Sequence, residues 1–245
     1  MKDTTFVVEA AIEAKHWWFV GRRKLFIREI ARRRIELTAC VLDLGTSTGT
    51  NLRMLRDSGF SNVAGLDLSE EALRFCKEKY QGLVIKGDVT RLPFFQDRAD
   101  LVLATDVIEH VDDDRAAIGE IARVLKPGGV VLIAVPAFGL LWGLQDEVAQ
   151  HKRRYRKPEV ETMLSETGLT VERSYYFNYV LFLPILIARI LLRLIRPNLS
   201  SENEINFPLM NRILSVIFTF DITTAPFVRP PFGVSIFLLA TKPAR

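Results

Sequence analysis

The alternation of short apolar runs with helical segments between Val41 and Val135 constrains the fold more than any other feature of the sequence. Five runs rich in Val, Leu and Ile are typical of strands, at 41–44, 63–67, 83–86, 100–104 and 130–135. Helical patterns lie between them, near 51–58, 69–79 and 113–125. Strands that alternate with helices predict a parallel sheet covered by helices on both faces.

The flanking segments extend this pattern. Residues 6–35 are predicted to be helical, and a helix near 158–167 is followed by a strand at 170–177. The last strand, 234–240, has no helix immediately before it, so we expect it to return antiparallel to the others. The sequence therefore predicts an α/β, Rossmann-like doubly wound fold. Its seven-stranded, mostly parallel sheet has an antiparallel last strand, N-terminal helices and a helical insertion before that strand.

We divide the chain of 245 residues into an N-terminal helical cap, 1–40, a nucleoside-binding core, 41–177, an insertion, 178–233, and the last strand and tail, 234–245. The insertion contains two helix candidates. The first, 180–194, is apolar but too short in its uncharged part to span a bilayer, which needs about 20 apolar residues.

One helical stripe of that first candidate carries Arg189, Arg193 and Arg196, which predicts a basic amphipathic helix. The second candidate, 207–220, keeps its polar residues Asn211, Ser215 and Thr219 on one narrow stripe. Two compatible roles stay open for these helices: a cap over the active site, or contact with an anionic membrane surface.

Charge and cysteine content limit the partners and the compartment. The net charge is only +4, but basic residues cluster at 22–34 and 152–157, where they could attract anionic lipid or phosphorylated substrates. No nucleic-acid-binding motif accompanies them, so we expect no nucleic-acid partner. The two cysteines form no pairing framework and the amino terminus has no signal-like segment. We expect a cytoplasmic protein, with peripheral contact at the inner membrane face left open, and the sequence does not predict its oligomeric state.

The turn after the first strand points to a nucleoside ligand. It runs from Gly45 to Gly49 between a buried strand that ends in Asp43-Leu44 and a predicted helix, an arrangement that directs backbone N–H groups at a ligand. Asp67 ends the second strand, where a carboxylate can accept hydrogen bonds from a ribose diol. The turn lacks the third glycine of a dinucleotide fingerprint. A ligand with a small charged tail, such as the amino-acid end of S-adenosylmethionine, fits this turn better.

Two further strand ends carry polar residues. Asp88 follows the third strand, where it could accept the exocyclic amine of an adenine or could simply cap the following turn. The fourth strand delivers Thr105, Asp106, Glu109 and His110 to the carboxyl edge of the sheet, where ligands bind in open α/β folds.

In this order and spacing, the segments closely resemble the class I S-adenosylmethionine-dependent methyltransferases of the broad type-11 group. The resemblance covers residues 41–136 and rests on VLDLGTSTGT, GLDLS, GDVTRLPF, DLVLATDVIEHV and LKPGGVVLIAVP. It extends more loosely to a subgroup that begins with HWWFVGRR and carries a His–basic–Tyr segment, here 151–155. One departure is Thr46-Ser47, where family members commonly show Cys-Gly.

The resemblance implies a cofactor site. Asp43, Gly45, Thr46 and Gly49 would surround the methionine end of S-adenosylmethionine, and Asp67 would hold the ribose hydroxyls. The same resemblance places adenine and sulfonium contacts at four further residues: Leu68, Asp88, Val89 and Thr105. The product would be S-adenosylhomocysteine.

The acceptor site follows less directly. A sulfonium methyl is already activated, so the enzyme mainly has to hold a nucleophile in line with it. A general base is needed only for a hydroxyl or a protonated amine, and we assign His110 to that role with Asp106 beside it. His151 and Tyr155 are predicted to bind the acceptor. Arg22 could bind a phosphate or carboxylate or form a surface salt bridge, and no metal site is expected.

The N-terminal aromatic segment adds the last candidates. His16 and Trp18 are assigned to the acceptor site, although Trp17, Trp18 and Phe19 could equally pack in the core. The leading hypothesis is a methyltransferase acting on an O, N or C nucleophile of a small-molecule or lipid-linked acceptor. The alternatives are a nicotinamide-dependent oxidoreductase, and a cofactor-binding, membrane-associated module without catalysis.

Overall fold

The computed structural model describes residues 3–195 and 207–244. Its centre is one seven-stranded sheet with the strand order β3-β2-β1-β4-β5-β7-β6. Most of the strands are short and rich in apolar residues, as the hydropathy pattern predicts, whereas β5 is twelve residues long and β6 is partly polar. The strands are β1 Cys40–Leu44, β2 Asn62–Asp67, β3 Leu83–Lys86, β4 Ala99–Thr105, β5 Leu125–Pro136, β6 Thr170–Phe177 and β7 Ser235–Thr241.

Helices connect and cover these strands. Three of the helices begin at a side chain that caps the backbone, His16, Ser69 and Asp113; Ser69, for example, accepts a hydrogen bond from Ala72 N at 3.2 Å and starts the fourth helix. The helices are α1 Asp3–Ile12, α2 Trp17–Arg32, α3 Thr50–Asp57, α4 Glu70–Lys79, α5 Asp114–Val124, α6 Leu144–Ala149, α7 Lys157–Glu166, α8 Phe182–Ile195 and α9 Pro208–Val228.

The strand directions confirm the predicted fold class. Strands β1 to β5 pair in parallel, whereas β7 lies antiparallel between β5 and β6. The order of connections reverses at the neighbouring strands β1 and β4. In open α/β sheets, the carboxyl ends of the strands at such a reversal form the crevice in which ligands bind.

Two boundaries differ from the sequence-based expectation. The predicted helix 6–35 is divided at 13–16, because His16 caps a new helix by accepting a hydrogen bond from Trp18 N at 3.3 Å. The last strand of the parallel set begins at Leu125 instead of 130, since Leu125 pairs with Ala99 before an irregularity that takes up residues 126–129. The Lys-Pro-Gly-Gly segment therefore lies within β5 and does not precede it.

The insertion packs against the N-terminal helices. Helix α9 lies on α2 at Gly21, where an added Cβ would lie only 2.2 Å from Phe218 Cδ1. Asp221 on α9 accepts hydrogen bonds from the backbone N of Asn178, at 2.6 Å, and of Val180, at 2.8 Å. The segment after β6 is thus held against α9. The N-terminal helices and the insertion therefore meet on one side of the sheet.

The predicted basic stripe on α8 is wrong in one respect. Arg189 is only 7% exposed, and its guanidinium points inward, to Leu141 O and to Asp146 Oδ2 at 3.4 Å. Of the other two arginines, Arg193 is exposed, and Arg196 lies outside the described residues. Asp146 is buried and also pairs with Arg154, so Arg189 is buried beside an opposite charge that the two arginines share. Among the described residues, no helix has both the length and the apolar character required to cross a membrane.

Candidate active site

The loop between β1 and α3 is held in a conformation that few residues adopt. Gly45, Ser47 and Gly49 have φ angles of 63°, 45° and 82°. A Cβ on Gly45 would lie 2.5 Å from Val107 Cγ2, and one on Gly49 would lie 2.7 Å from Cys76 Sγ. The loop therefore requires glycine at both ends, and at its centre Ser47 adopts a left-handed conformation that is costly for a residue with a side chain.

Below the loop, Asp43 joins the ends of β1 and β4. It is fully buried and accepts hydrogen bonds from Thr46 Oγ1 at 2.7 Å and Asn51 Nδ2 at 3.2 Å. The same Asn51 amide donates to Thr105 Oγ1 at 3.1 Å. Burial raises the pKa of Asp43 to about 7, against the lowering effect of these two hydrogen bonds. The predicted residues Asp43, Thr46 and Thr105 are therefore linked in one network at the switch point of the sheet.

Asp67 supports the loop from the end of β2. Its Oδ2 accepts from Ser47 N and its Oδ1 from Ser69 N, both at 2.9 Å. The carboxylate also accepts a hydrogen bond from the Leu68 backbone, which leaves at least one of its lone pairs for a ligand. The next residue, Leu68, is 65% exposed beside it. This is the placement that a ribose and an adenine contact would need, although the two contacts themselves remain predictions.

The residues after β3 lie at the edge of this region. Asp88 is exposed, and its Oδ1 accepts from Thr90 N and Thr90 Oγ1, both at 2.8 Å. Val89 is buried. The turn-capping role of Asp88 is thus present in the structure, and its contact with an adenine stays a prediction.

Two carboxylates that the sequence did not predict for this site approach the loop from the N-terminal segment: Glu9 lies on α1, and Glu13 directly follows this helix. Glu9 accepts a hydrogen bond from Ser47 Oγ at 3.0 Å, and Glu13 is bonded to Thr48 and to Lys79. Burial raises the pKa of Glu9 to about 7. In the predicted helix 6–35 the two residues are spaced i, i+4, so the sequence indicated that they share a helix face. A helical pattern does not show which loop that face will contact.

A cavity of about 430 Å³ opens above the loop, on the carboxyl side of β1 and β4. It brings together predicted residues from both the cofactor set and the acceptor set, and α8 and α9 contribute its apolar outer wall. The predicted residues that line it are Gly45, Thr46, Thr105, Asp106, His110, His16, Trp18, Arg22 and His151. Those outside its lining are Asp43, Gly49, Asp67, Leu68, Asp88, Val89 and Tyr155.

Arg22 and Asp106 face each other in this cavity. Arg22 Nη1 lies 2.5 Å from Asp106 Oδ2, and the Arg22 guanidinium also lies over the Trp18 and Phe26 rings, at 5.5 and 5.3 Å from their centroids. Arg22 is buried, so the surface salt bridge is not its role. Asp106 has a φ of 55°, which turns its side chain away from the strand direction at the end of β4.

The three histidines of the chain all line the cavity. His110 and His151 are in contact, with ring centroids 4.7 Å apart and planes inclined by 77°. Burial and the neighbouring His151 lower the pKa of His110 to about 3, and burial lowers that of His16 to about 4. Both rings are therefore neutral at physiological pH.

Tyr155 has a different place from the one predicted. It is 4% exposed, and its hydroxyl donates to Asp114 Oδ2 at 2.8 Å, with Ile108 O at 3.2 Å. These partners lie beneath the cavity wall. The position supports a role for Tyr155 in fixing the segment that carries His110, and it does not support direct contact with an acceptor.

Comparison with known proteins identifies the segment that builds this site. Residues 42–133 match the family model described as a methyltransferase domain. The malonyl-[acyl-carrier protein] O-methyltransferase of Pectobacterium atrosepticum is 35% identical over 102 residues, which cover 41% of this chain and 40% of that protein. A probable S-adenosylmethionine-dependent methyltransferase of Mycolicibacterium smegmatis is 28% identical over 161 residues, 64% of this chain and 61% of that protein.

The chain thus spans about half the length of these curated relatives. Over its whole length it is similar to a solved structure, the complex between the Trm112 methyltransferase activator of Haloferax volcanii and a methyltransferase. The TM-score is 0.67 with 21% identity, and the match covers 99% of this chain and 96% of that one. At this level of identity the similarity shows the fold alone.

Proposed function

We propose that this chain, which carries a class I S-adenosylmethionine-dependent methyltransferase domain, binds S-adenosylmethionine and transfers its methyl group to a small-molecule acceptor. The observation that carries the proposal is the shared cavity. The loop at Gly45–Thr48 and Thr105, predicted to bind the cofactor, lines the same space as Arg22, His110 and His151, predicted to serve the acceptor. Methyl donor and acceptor must meet in one place, and a cavity shared by the two sets of residues supports the proposal.

The polar residues around the loop fit the charged groups of this cofactor. S-adenosylmethionine carries an ammonium and a sulfonium, and when bound it supplies a methyl group that is already activated for transfer. The carboxylates of Glu9, Glu13 and Asp43 surround the loop, an acidic setting that favours the ammonium and the sulfonium of this ligand. Asp67 keeps a lone pair for a ribose hydroxyl beside its three backbone hydrogen bonds. The turn also lacks the close glycine spacing that a pyrophosphate needs.

The residues of this chain act mainly by position. In-line alignment of two reactants can lower a barrier by roughly 7–11 kcal/mol, without any proton transfer. Trp18 and Phe26, with the apolar faces of α8 and α9, give the cavity an apolar wall. His110 stays neutral and keeps a lone pair, but its lowered pKa makes it a weak proton acceptor. We therefore assign His110 to orienting a polar atom of the acceptor rather than to storing a proton.

Calorimetry with S-adenosylmethionine, S-adenosylhomocysteine and NAD tests the cofactor. Saturable binding of the first two without NAD binding is the expected result. Binding of NAD alone would favour the oxidoreductase alternative and end the methyltransferase proposal.

Transfer itself needs a separate experiment. Cell extract incubated with the enzyme and isotopically labelled S-adenosylmethionine is expected to contain a molecule that gains the labelled methyl group, detected by mass spectrometry. If the protein binds the cofactor but labels nothing above the level of a cofactor-binding-deficient variant, the non-catalytic module becomes the better description.

For the acceptor, we propose an apolar or lipid-linked molecule that reaches the cavity from an anionic membrane surface. Two helices have apolar residues on both faces. On α8, Ile185, Ala188 and Leu192 line the cavity, while the opposite stripe, Leu183, Ile187, Ile190 and Leu194, is exposed. On α9, the lining residues Met210 and Leu214 likewise stand beside an exposed stripe of Leu209, Ile213, Val216 and Phe220.

Basic residues border these exposed stripes. Lys24, Arg193 and Arg212 are exposed on α2, α8 and α9. An apolar helix face bordered by basic residues is typical of a helix that lies in the interface of an anionic membrane. A wall that is apolar both toward the cavity and toward the outside would let an acceptor with a long apolar part pass from the bilayer to the cavity.

Flotation with liposomes that contain anionic lipid tests this surface. We expect the wild-type chain to float at low salt, and Ile187→Glu with Phe220→Glu to abolish flotation while leaving cofactor affinity unchanged. Phe95 is 79% exposed on the loop before β4, far from both helices in sequence, so Phe95→Glu is the matched control. Equal flotation of all three proteins, or none for the wild type, would refute membrane contact without touching the cofactor proposal.

A further inference from the structure

We propose that Glu109, His110 and His151 form a binding site for a divalent transition-metal cation of the zinc class, on the wall of the cavity. One potential ligand atom of each residue lies within 4.8 Å of the other two. Imidazole nitrogen and carboxylate oxygen are the ligands that such cations take in proteins. This departs from the sequence-based expectation of no metal, because the two segments that meet here are forty residues apart and show no local metal motif.

Glu109 provides the independent sign of a missing ligand. Its side chain is 0% exposed, and within the described part of the chain neither carboxylate oxygen has a hydrogen-bond partner in another residue; only its own backbone N–H acts on it. Arg22 and Arg154 act on it only through space, and each is already paired, with Asp106 and Asp146. A buried carboxylate without a partner is costly. A cation bound between Glu109 and the two histidines would remove that cost.

Neighbouring groups orient both imidazoles as they do in metal sites. His151 Nδ1 lies 2.8 Å from Asp146 Oδ1, which leaves its Nε2 for the cluster. The His110 ring is hydrogen-bonded to the backbone of Ala149 and Gln150. Ligating histidines usually donate their second ring N–H to a carboxylate or a backbone carbonyl, which fixes the tautomer and the ring orientation. The carboxylate–histidine pair of Asp146 and His151 has this arrangement.

Three protein ligands leave an open position, as in catalytic rather than structural zinc sites. Because His110 and His151 line the cavity, the open position faces the space assigned to the acceptor. We assign it to an oxygen donor of the acceptor, such as a hydroxyl or a carboxylate. The assignment of the fourth ligand rests on the proposed function. The assignment of the three protein ligands does not depend on it.

Cobalt(II) titration of the full, untagged chain tests the site, because Co²⁺ replaces zinc and reports its coordination in the visible spectrum. We expect one Co²⁺ per chain with an intense visible band. Glu109→Gln and His151→Gln each keep the side-chain size and should weaken Co²⁺ binding at least about tenfold, the lower bound for disturbing the surroundings of a metal. His16→Asn is the matched control, since it removes the third cavity histidine and asparagine retains the helix cap. It should bind Co²⁺ like the wild type.

S-adenosylhomocysteine affinity is measured on the same four proteins. Equal affinity shows that each variant is folded and keeps the cofactor loop, so the failure of the metal site is distinct from the failure of the proposed function. Folded wild-type protein that binds no Co²⁺ would overturn the metal site. So would Co²⁺ binding that His16→Asn weakens as much as Glu109→Gln and His151→Gln do.

Discussion

Replacing Asp67 by asparagine is the sharpest test of the cofactor site, because the change keeps the shape and removes the charge. The Asp67 carboxylate accepts backbone N–H groups from Ser47 and Ser69 at 2.9 Å and from Leu68, and it keeps a lone pair for a ribose hydroxyl. Hydrogen bonds to a charged group are worth about 1.5–3 kcal/mol. We therefore expect Asp67→Asn to weaken S-adenosylmethionine binding by roughly 10- to 150-fold, at about 1.4 kcal/mol per tenfold.

The same change should also lower the stability of the protein. One backbone N–H then faces the new amide group instead of an oxygen, and an unsatisfied buried donor costs about 1–3 kcal/mol. Asp100 offers a matched control at the opposite edge of the sheet, because its Oδ2 also accepts a backbone N–H, from Cys40 at 2.8 Å. Asp100→Asn should show a similar loss of stability, measured by chemical denaturation, without a loss of cofactor affinity.

Isothermal titration calorimetry of the three proteins with S-adenosylmethionine separates the two effects. If Asp67→Asn binds within twofold of the wild type, the ribose assignment is wrong. If Asp100→Asn weakens binding as much as Asp67→Asn does, the effect is one of general stability, and Asp67 has no special contact with the cofactor.

Three further changes test the loop, the packing of the insertion and the pH response. Ser47→Gly should be more stable than Ser47→Ala by about 1 kcal/mol in urea denaturation. Both variants lose the hydrogen bond to Glu9, and only glycine adopts the positive φ without strain. A more stable alanine variant would contradict the strained loop. Gly21→Ala should lower the free energy of unfolding by about 1–3 kcal/mol through its clash with Phe218, and an unchanged thermal midpoint would argue against this packing. Burial raises the pKa of Asp43 from 3.8 to about 7, so between these values the native state holds more protons than the unfolded state and stability falls as pH rises. Asp43→Asn should reduce the slope of the free energy of unfolding against pH, measured by denaturation from pH 4 to 7.5. An unaltered slope would show that a group other than Asp43 titrates in this range.

The core of the fold could be predicted from the sequence because its signals are local. Alternating strands and helices, the cap at Ser69 and the Gly45–Gly49 turn depend on neighbouring residues, and these predictions agree with the structure. The antiparallel last strand agrees with the prediction, but the reason behind the prediction does not hold, because helix α9 ends at Val228 and β7 begins at Ser235.

The acceptor side could not be predicted to the same depth, because its contacts join distant segments. Arg189 was assigned to an exposed basic stripe by helical periodicity, and only the buried Asp146 explains why it turns inward. Glu9 and Glu13 were missed because periodicity shows a helix face but not the loop it meets.

The sheet, the turn after its first strand and the carboxylates at the strand ends follow from the sequence, because each depends on residues that are consecutive in the chain. Which side chains face the cavity depends on contacts between distant segments, and these are visible only in the three-dimensional structure. It paired Arg22 with Asp106, placed Tyr155 beneath the wall, and brought Glu109 and His110 against His151. The physical reason is that burial and long-range packing set the partners of a charged or polar side chain, and no local pattern in the sequence records them.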